Sequence, residues 1–260
     1  MRAGIWQSDG EGLTAVERLT RLEAAIAGQG LDVVLCPELF ACGYHIGDDI
    51  ARLAEPADGP FAQAVQALAA RVGTAVLYGY AERDGDKVYN SAQLVGPGGP
   101  IAHHRKLVIP PGPETGRFAE GQGCAVFDFG GLRCAILICY DAEFPEGPRA
   151  AALAGAEVLF VPTALSDQWG NVSREVMPSR GFENGLWLLY ANHAGTENGL
   201  SYYGGSRIVG PVGQSVAVAG DGPELIVAAL DAAAVTAARA RLPYLADREG
   251  LIARLPGASA

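Results

Sequence analysis

The chain has 260 residues, 49% of them hydrophobic and 18% charged, a composition that builds a core and excludes a disordered chain. Its formal net charge is −10, with the lysines and arginines scattered, which excludes a nucleic-acid surface; solubility explains the acidity better than a cationic substrate does. No apolar run approaches the roughly 20 residues of a membrane helix, and the start Met1-Arg2-Ala3-Gly4-Ile5-Trp6 lacks the pattern of a signal peptide, so a cytoplasmic protein without a membrane partner is expected.

In chain order, AGIWQ (3 to 7) reads as a strand, and AAIAGQGLDVVLCPE (24 to 38) as a helix end, a Gly near its C-cap and a buried strand stopped by proline. Glu38 closes that strand, and Leu39 and Phe40 carry the apolar run past it. A carboxylate in such a place requires a partner. TAVLYGY (74 to 80) is a further strand, and NSAQLVGPGGPIAHH (90 to 104) a hairpin turning at Gly96-Pro97-Gly98-Gly99. Behind it Lys106 precedes Leu107-Val108-Ile109, a second charge embedded in apolar sequence. A buried Glu and Lys could satisfy each other.

The same order then returns. CAILICYD (134 to 141) is a strand, AALAGAEVLFVPT (151 to 163) repeats the helix, Gly, strand and proline of 24 to 38, LWLLYAN (186 to 192) is a strand, and GSRIVGPVGQSVAVA (205 to 219) a hairpin turning at Gly210-Pro211-Val212-Gly213. Two related α/β halves, each a sheet with helices on one outer face, predict a single α/β domain over 1 to 260, a four-layer α-β-β-α sandwich.

Five cysteines is an odd count, and neither Cys36 and Cys42 nor Cys134 and Cys139 have disulfide-framework or zinc-site spacing. Cys36, Cys124 and Cys134 lie in apolar strand patterns and are expected in the core. Cys139 ends a strand and precedes a helix that Asp141 is expected to cap, with Pro145 in its first turn. There the positive helix end and a nearby ammonium would favour the thiolate, and backbone N–H groups would offer oxyanion donors. A buried, inert cysteine is the alternative. Of the four histidines, His103 and His104 point to opposite faces of a strand, and His193 follows a strand end as an outside candidate for a base. Without a histidine the base must be a carboxylate, because lysine near its reference pKa of about 10.4 is protonated at neutrality.

CPELF (36 to 40), HRK (104 to 106) and LICYDAEFPE (137 to 146) resemble, in order, the three signature blocks of the nitrilase superfamily of carbon-nitrogen hydrolases. The resemblance extends to NSAQLVGPGG (90 to 99), SRGFENGLWLLYAN (179 to 192) and the hairpin at 204 to 213. It implies Glu38 as proton shuttle, Lys106 as oxyanion stabiliser, Cys139 as nucleophile, Tyr140 as backbone oxyanion donor and Glu114 as a second glutamate orienting lysine and substrate, with no cofactor and no metal. The bacterial amidase branch, which includes 5-aminopentanamidase and R-stereoselective amidases, is the most similar, PYLADREG (243 to 250) included. VIPPGPETGRF (108 to 118) departs from the usual pattern with two added prolines, which bears on substrate shape. The resemblance implies hydrolysis of a small aliphatic, ω-amino or amino-acid amide through a cysteine thioester, and a homodimer or higher homo-oligomer with 243 to 260 as a candidate contact. N-carbamoyl amine or nitrile hydrolysis would use the same residues; a non-catalytic small-molecule binding module would be expected to have lost one of them.

Overall fold

The computed structural model describes residues 1–10 and 12–255. β1 (Arg2–Gln7) is followed by α1 (Ala15–Ile26), which opens on a capping box: the Thr14 side chain accepts from the Glu17 N–H while the Glu17 carboxylate accepts from the Thr14 N–H. Leu22 and Ile26, four apart, face the sheet. The chain returns as β2 (Val33–Leu35), continues through α2 (Asp49–Leu53) and α3 (Pro60–Val72), and forms β3 (Ala75–Asp84), β4 (Lys87–Gly96) and β5 (Gly99–Arg105). α3 has Pro60 in its first turn and ends on Gly73 in the left-handed region, φ 72°.

The second half supplies β6 (Ala125–Phe129), β7 (Leu132–Ile136), α4 (Glu146–Leu153), β8 (Val158–Pro162), α5 (Met177–Asn184) and β9 (Trp187–Ala191). The short pair β10 (Thr196–Glu197) and β11 (Leu200–Ser201) leads to β12 (Arg207–Val209), β13 (Ser215–Val218), β14 (Glu224–Ala229), α6 (Ala232–Arg241) and α7 (Tyr244–Ile252). The sheets run β14-β1-β2-β3-β4-β5 and β13-β12-β9-β8-β7-β6. In each, three parallel strands (β1, β2, β3 and β7, β8, β9) continue into an antiparallel hairpin (β4, β5 and β12, β13). Each first parallel strand also carries an antiparallel neighbour, β14 on β1 and β6 on β7. β14 comes from the far end of the chain, so the second half completes the first half's sheet.

The inner faces meet in one core, with Ile5, Leu35, Leu77 and Leu94 packed on the side of Ile136, Phe160, Leu189 and Ile208. Outside, α1 and α3 cover Val34, Val76 and Tyr78 through Leu22, Ile26, Val65 and Leu68. Ala151 and Ala152 of α4 and Met177 of α5 cover Leu159, Val161 and Tyr190. These are the four expected layers. Their origin is the fully apolar reading of the parallel strands, which are buried on both faces.

Two expectations need correction, on Asp141 and Cys124. Asp141 does not cap α4; it lies inside a 3-10 turn, Cys139–Ala142, and α4 begins at Glu146 directly after Pro145. Cys124 is half-buried ahead of β6, unlike the fully buried Cys36 and Cys134. Of the segment 243 to 260, α7 lies against α5, with Tyr244 edge-on to Phe182 at 5.7 Å, and 256 to 260 lie outside the described residues. No helix among the described residues is long and apolar enough to cross a membrane.

Candidate active site

Parallel strands place the residues that follow their carboxyl ends on one rim of a sheet. β2 releases Pro37 and Glu38 there, β5 releases Lys106, and β7 releases Cys139. At the same rim of the second sheet, Thr163 follows β8 and His193 follows β9. The Glu38 N–H donates to the Thr163 carbonyl at 3.3 Å, and His193 Nε2 donates to the Glu38 carbonyl at 2.7 Å. Glu38 therefore has its backbone held by the sheet opposite its own. Leu39 then takes φ 50° and Cys139 φ 46°, both in the left-handed region that side chains other than glycine seldom adopt.

Gly79 on β3 is what lets the β2 exit lie so close. A methyl group there would run into the Leu39 nitrogen and lie 2.7 Å from Glu38 Cα. Gly79→Ala is expected to destabilise the fold by about 1–3 kcal/mol, the usual cost of overpacking. It is also expected to lower kcat by about a hundredfold through the displaced Glu38. A thermal melt paired with a rate measurement checks both; an unchanged rate removes the positioning role given to this contact.

Lys106, Glu38 and Glu114 are at most 1% exposed. Lys106 Nζ donates to Glu38 Oε1 at 2.7 Å and to Glu114 Oε1 at 2.5 Å. Asn90 Nδ2 bridges the same carboxylates from the other side, 2.7 Å to Glu38 Oε1 and 2.9 Å to Glu114 Oε2, and the Tyr44 hydroxyl donates to Glu114 Oε1 at 2.9 Å. Glu38 Oε2 is buried with no hydrogen-bond partner among the described residues. The cluster holds two carboxylates and one ammonium. Burial therefore pushes the Glu38 carboxyl up to about 7, helped by the charge of Glu114 and opposed by Lys106. Burial works against the Lys106 ammonium, but the two carboxylates outweigh it and its pKa is raised.

Cys139 is 7% exposed. Burial, with the charge of Glu38, holds its thiol well above the ordinary value even though Lys106 acts in the other direction. This corrects the expectation of a favoured thiolate. In a dry pocket, losing hydration outweighs one ammonium already shared between two carboxylates. Burial thus favours the thiol over the thiolate at Cys139.

Asp141, read from sequence as a helix cap, ties two of the segments together. Its carboxylate accepts from the backbone N–H of Leu107 (3.1 Å), Val108 (3.0 Å) and Ile138 (3.2 Å), so the turn carrying Cys139 is fastened to the chain just after Lys106. Sequence reading also passed over Asn90 and Tyr44; a polar residue opening the apolar run after Tyr89 was the available signal for Asn90. His103 and His104 do separate to opposite faces: His103 bonds Glu82 at 2.8 Å, while buried His104 lies 3.7 Å from Asp141. Burial lowers His193 to about 4, so at neutral pH it is an uncharged donor to the Glu38 backbone. Among the described residues no group of three or more His, Cys, Asp or Glu side chains is arranged to hold a metal ion.

The carbon-nitrogen hydrolase family model matches residues 5–240. An (R)-stereoselective amidase of a Pseudomonas species is 34% identical over 92% of this chain and 87% of its own. The N-carbamoylputrescine amidase of Solanum lycopersicum is 34% identical over 83% of this chain and 80% of its own. The amidase of Nesterenkonia sp. AN1 superposes with a TM-score of 0.86 at 33% identity, covering 98% of both chains. A mutant of it carries the acetamide moiety of fluoroacetamide on the active-site cysteine, and superposes with a TM-score of 0.83 at 32% identity over 98% of this chain and 95% of its own. Family match, shared architecture and the extent of identity agree: this chain belongs to the carbon-nitrogen hydrolase family, within the nitrilase superfamily, and is a hydrolase acting on carbon–nitrogen bonds.

Proposed function

We propose that the protein is an amidase that converts a small aliphatic, ω-amino or amino-acid amide to the carboxylic acid and ammonia through a thioester on Cys139. The observation that carries this reading is the sealed Glu38–Lys106–Glu114 cluster, in which an ammonium lies between two carboxylates and one Glu38 oxygen has no hydrogen-bond partner among the described residues. The Cys139 sulfur attacks the amide carbon as Glu38 takes the thiol proton. The carbonyl oxygen becomes an oxyanion, met by the Lys106 ammonium and the Tyr140 backbone N–H. The carbon–nitrogen bond then breaks, Glu38 hands its proton to the departing nitrogen, and ammonia leaves an acyl group on sulfur. Water attacks that thioester with Glu38 as base, a second oxyanion forms and collapses, and the acid departs with the thiol restored. Glu114 and Asn90 hold Lys106 and Glu38 in register throughout. The covalent adduct on the cysteine of the Nesterenkonia amidase mutant supports this route.

The test is ammonia release from a panel of aliphatic, ω-amino and amino-acid amides, carbamoyl amines and nitriles, run as a pH series. Amides should turn over, with kcat/KM falling as pH drops below about 7, because only ionised Glu38 can accept the thiol proton. A rate flat between pH 5 and pH 8 would remove Glu38 as the base; silence from every amide would remove the amidase reading. Hydrolysis of an N-carbamoyl amine is the second reading, favoured by the similarity to the tomato N-carbamoylputrescine amidase. It would release carbon dioxide and an amine along with ammonia.

A further inference from the structure

The loop 43 to 46, which follows the Glu38 exit in the first half, is held from the second half by one buried carboxylate. Glu197 lies in the short hairpin of β10 and β11 and is 3% exposed. Its Oε2 accepts from the Tyr44 N–H at 2.9 Å, the His45 N–H at 2.7 Å and the Tyr202 hydroxyl at 2.7 Å. Beside it Asn198, in the left-handed region at φ 46°, donates from Nδ2 to the His45 carbonyl at 2.8 Å. Gly43 makes room for this contact, since a methyl group there would run into Glu197 Oε1. Buried Arg18 of α1 stands 3.7 Å from that same oxygen.

A hairpin with two residues in each strand is marginal by its own pairing, and burying a carboxylate in it is unfavourable unless that group is fully bonded. The charge-assisted bonds to Tyr44 and His45 offset the burial only while 43 to 46 stays in place, so they fix the loop as much as the hairpin. What the loop carries is the buried Tyr44 side chain. Its hydroxyl donates to Glu114 Oε1, the oxygen that also takes Lys106 Nζ. The Tyr44 backbone is thus fastened to Glu197, and the tip of its side chain to the Glu114–Lys106 pair.

We propose that Glu197 is a positioning residue for the reaction: by holding the Tyr44 backbone it sets the Tyr44 hydroxyl against Glu114, and so keeps Lys106 aimed at the developing oxyanion. The inference rests on the amidase reading, in which Lys106 serves that oxyanion. Glu197 acts through Tyr44 and takes no part in making or breaking bonds.

The experiment is a double-mutant cycle on kcat, with an amide that wild type turns over. Glu197→Ala and Tyr44→Phe are each expected to lower kcat by about ten- to a hundredfold, the range of a lost hydrogen bond to a charged group and of a displaced catalytic group. The double variant should be no slower than the slower single variant, because both changes break the same link. Glu197→Gln keeps an oxygen for the Tyr44 and His45 N–H groups but loses the charge facing Arg18. Its kcat should return to within about threefold of wild type while its melting temperature falls. Asn198→Asp removes the donor to the His45 carbonyl at an exposed position where aspartate tolerates the left-handed backbone, so it serves if Glu197→Ala does not fold. Its loss in kcat, about three- to tenfold, should likewise vanish in the Tyr44→Phe background. Effects that multiply in either double variant, an unchanged kcat in Glu197→Ala, or a Glu197→Gln as slow as Glu197→Ala would overturn the inference and leave the amidase reading standing. Wild type silent on every amide would overturn both.

Discussion

Cys139→Ala is expected to lower kcat for amide hydrolysis by about 10⁴-fold or more, since removing the nucleophile of a covalent mechanism leaves only binding and oxyanion stabilisation. The fold should survive. Alanine removes one sulfur from a small buried side chain, retains the hydrogen bonds that Asp141 makes to Leu107, Val108 and Ile138, and meets the same left-handed backbone, φ 46°, that cysteine already accepts. Mass spectrometry during turnover of a slow amide should show the acyl mass on wild type and none on the variant. Residual activity within about tenfold of wild type, or an acyl adduct on another residue, would remove Cys139 as nucleophile.

Lys106→Ala is expected to act on stability and rate together. It leaves Glu38 and Glu114 facing one another at 0% and 1% exposure with no cation between them. Breaking a buried ion pair from one side costs about 3–5 kcal/mol. In a chain of this size that lowers the melting temperature by about 6–20 °C. Independently, loss of an oxyanion donor lowers kcat by about 10²–10³-fold. The two effects separate in Lys106→Ala/Glu114→Gln, where one of the two opposed carboxylates is made neutral. The double variant should recover much of the melting temperature and none of kcat. Recovery of both would mean that Lys106 serves the fold alone.

The layered architecture was legible in the sequence because it rests on local features. The chain writes the order strand, helix, strand, helix, strand, hairpin twice, and buried parallel strands read as continuous apolar runs. The turns at Gly96–Gly99 and Gly210–Gly213 were readable for the same reason, since β4 ends and β5 begins at the first pair. Less legible was β14, whose partner β1 lies more than 200 residues away in the chain. A pairing at that separation is decided by which sheet edge is open once both halves have formed.

At the site, sequence singled out Glu38, Lys106 and Cys139 as chemistry-bearing types placed where a strand ends, and Glu114 and Tyr140 through resemblance. What each side chain meets was decided by tertiary structure. Asp141 looked like a helix cap because its neighbours in sequence are a strand and a helix, yet its carboxylate joins the Cys139 turn to the segment after Lys106. His193 looked like a candidate base, yet burial leaves it neutral and bonded to a backbone carbonyl. The thiol of Cys139 was expected to be acidified by a nearby ammonium. The fold shares that ammonium between two carboxylates and buries the sulfur, so the thiol is held above its ordinary pKa instead of below it. Residue type and local pattern set which groups could react. Burial and the sharing of partners, which exist only after distant strand ends meet on one rim, set their protonation and therefore the role each can hold.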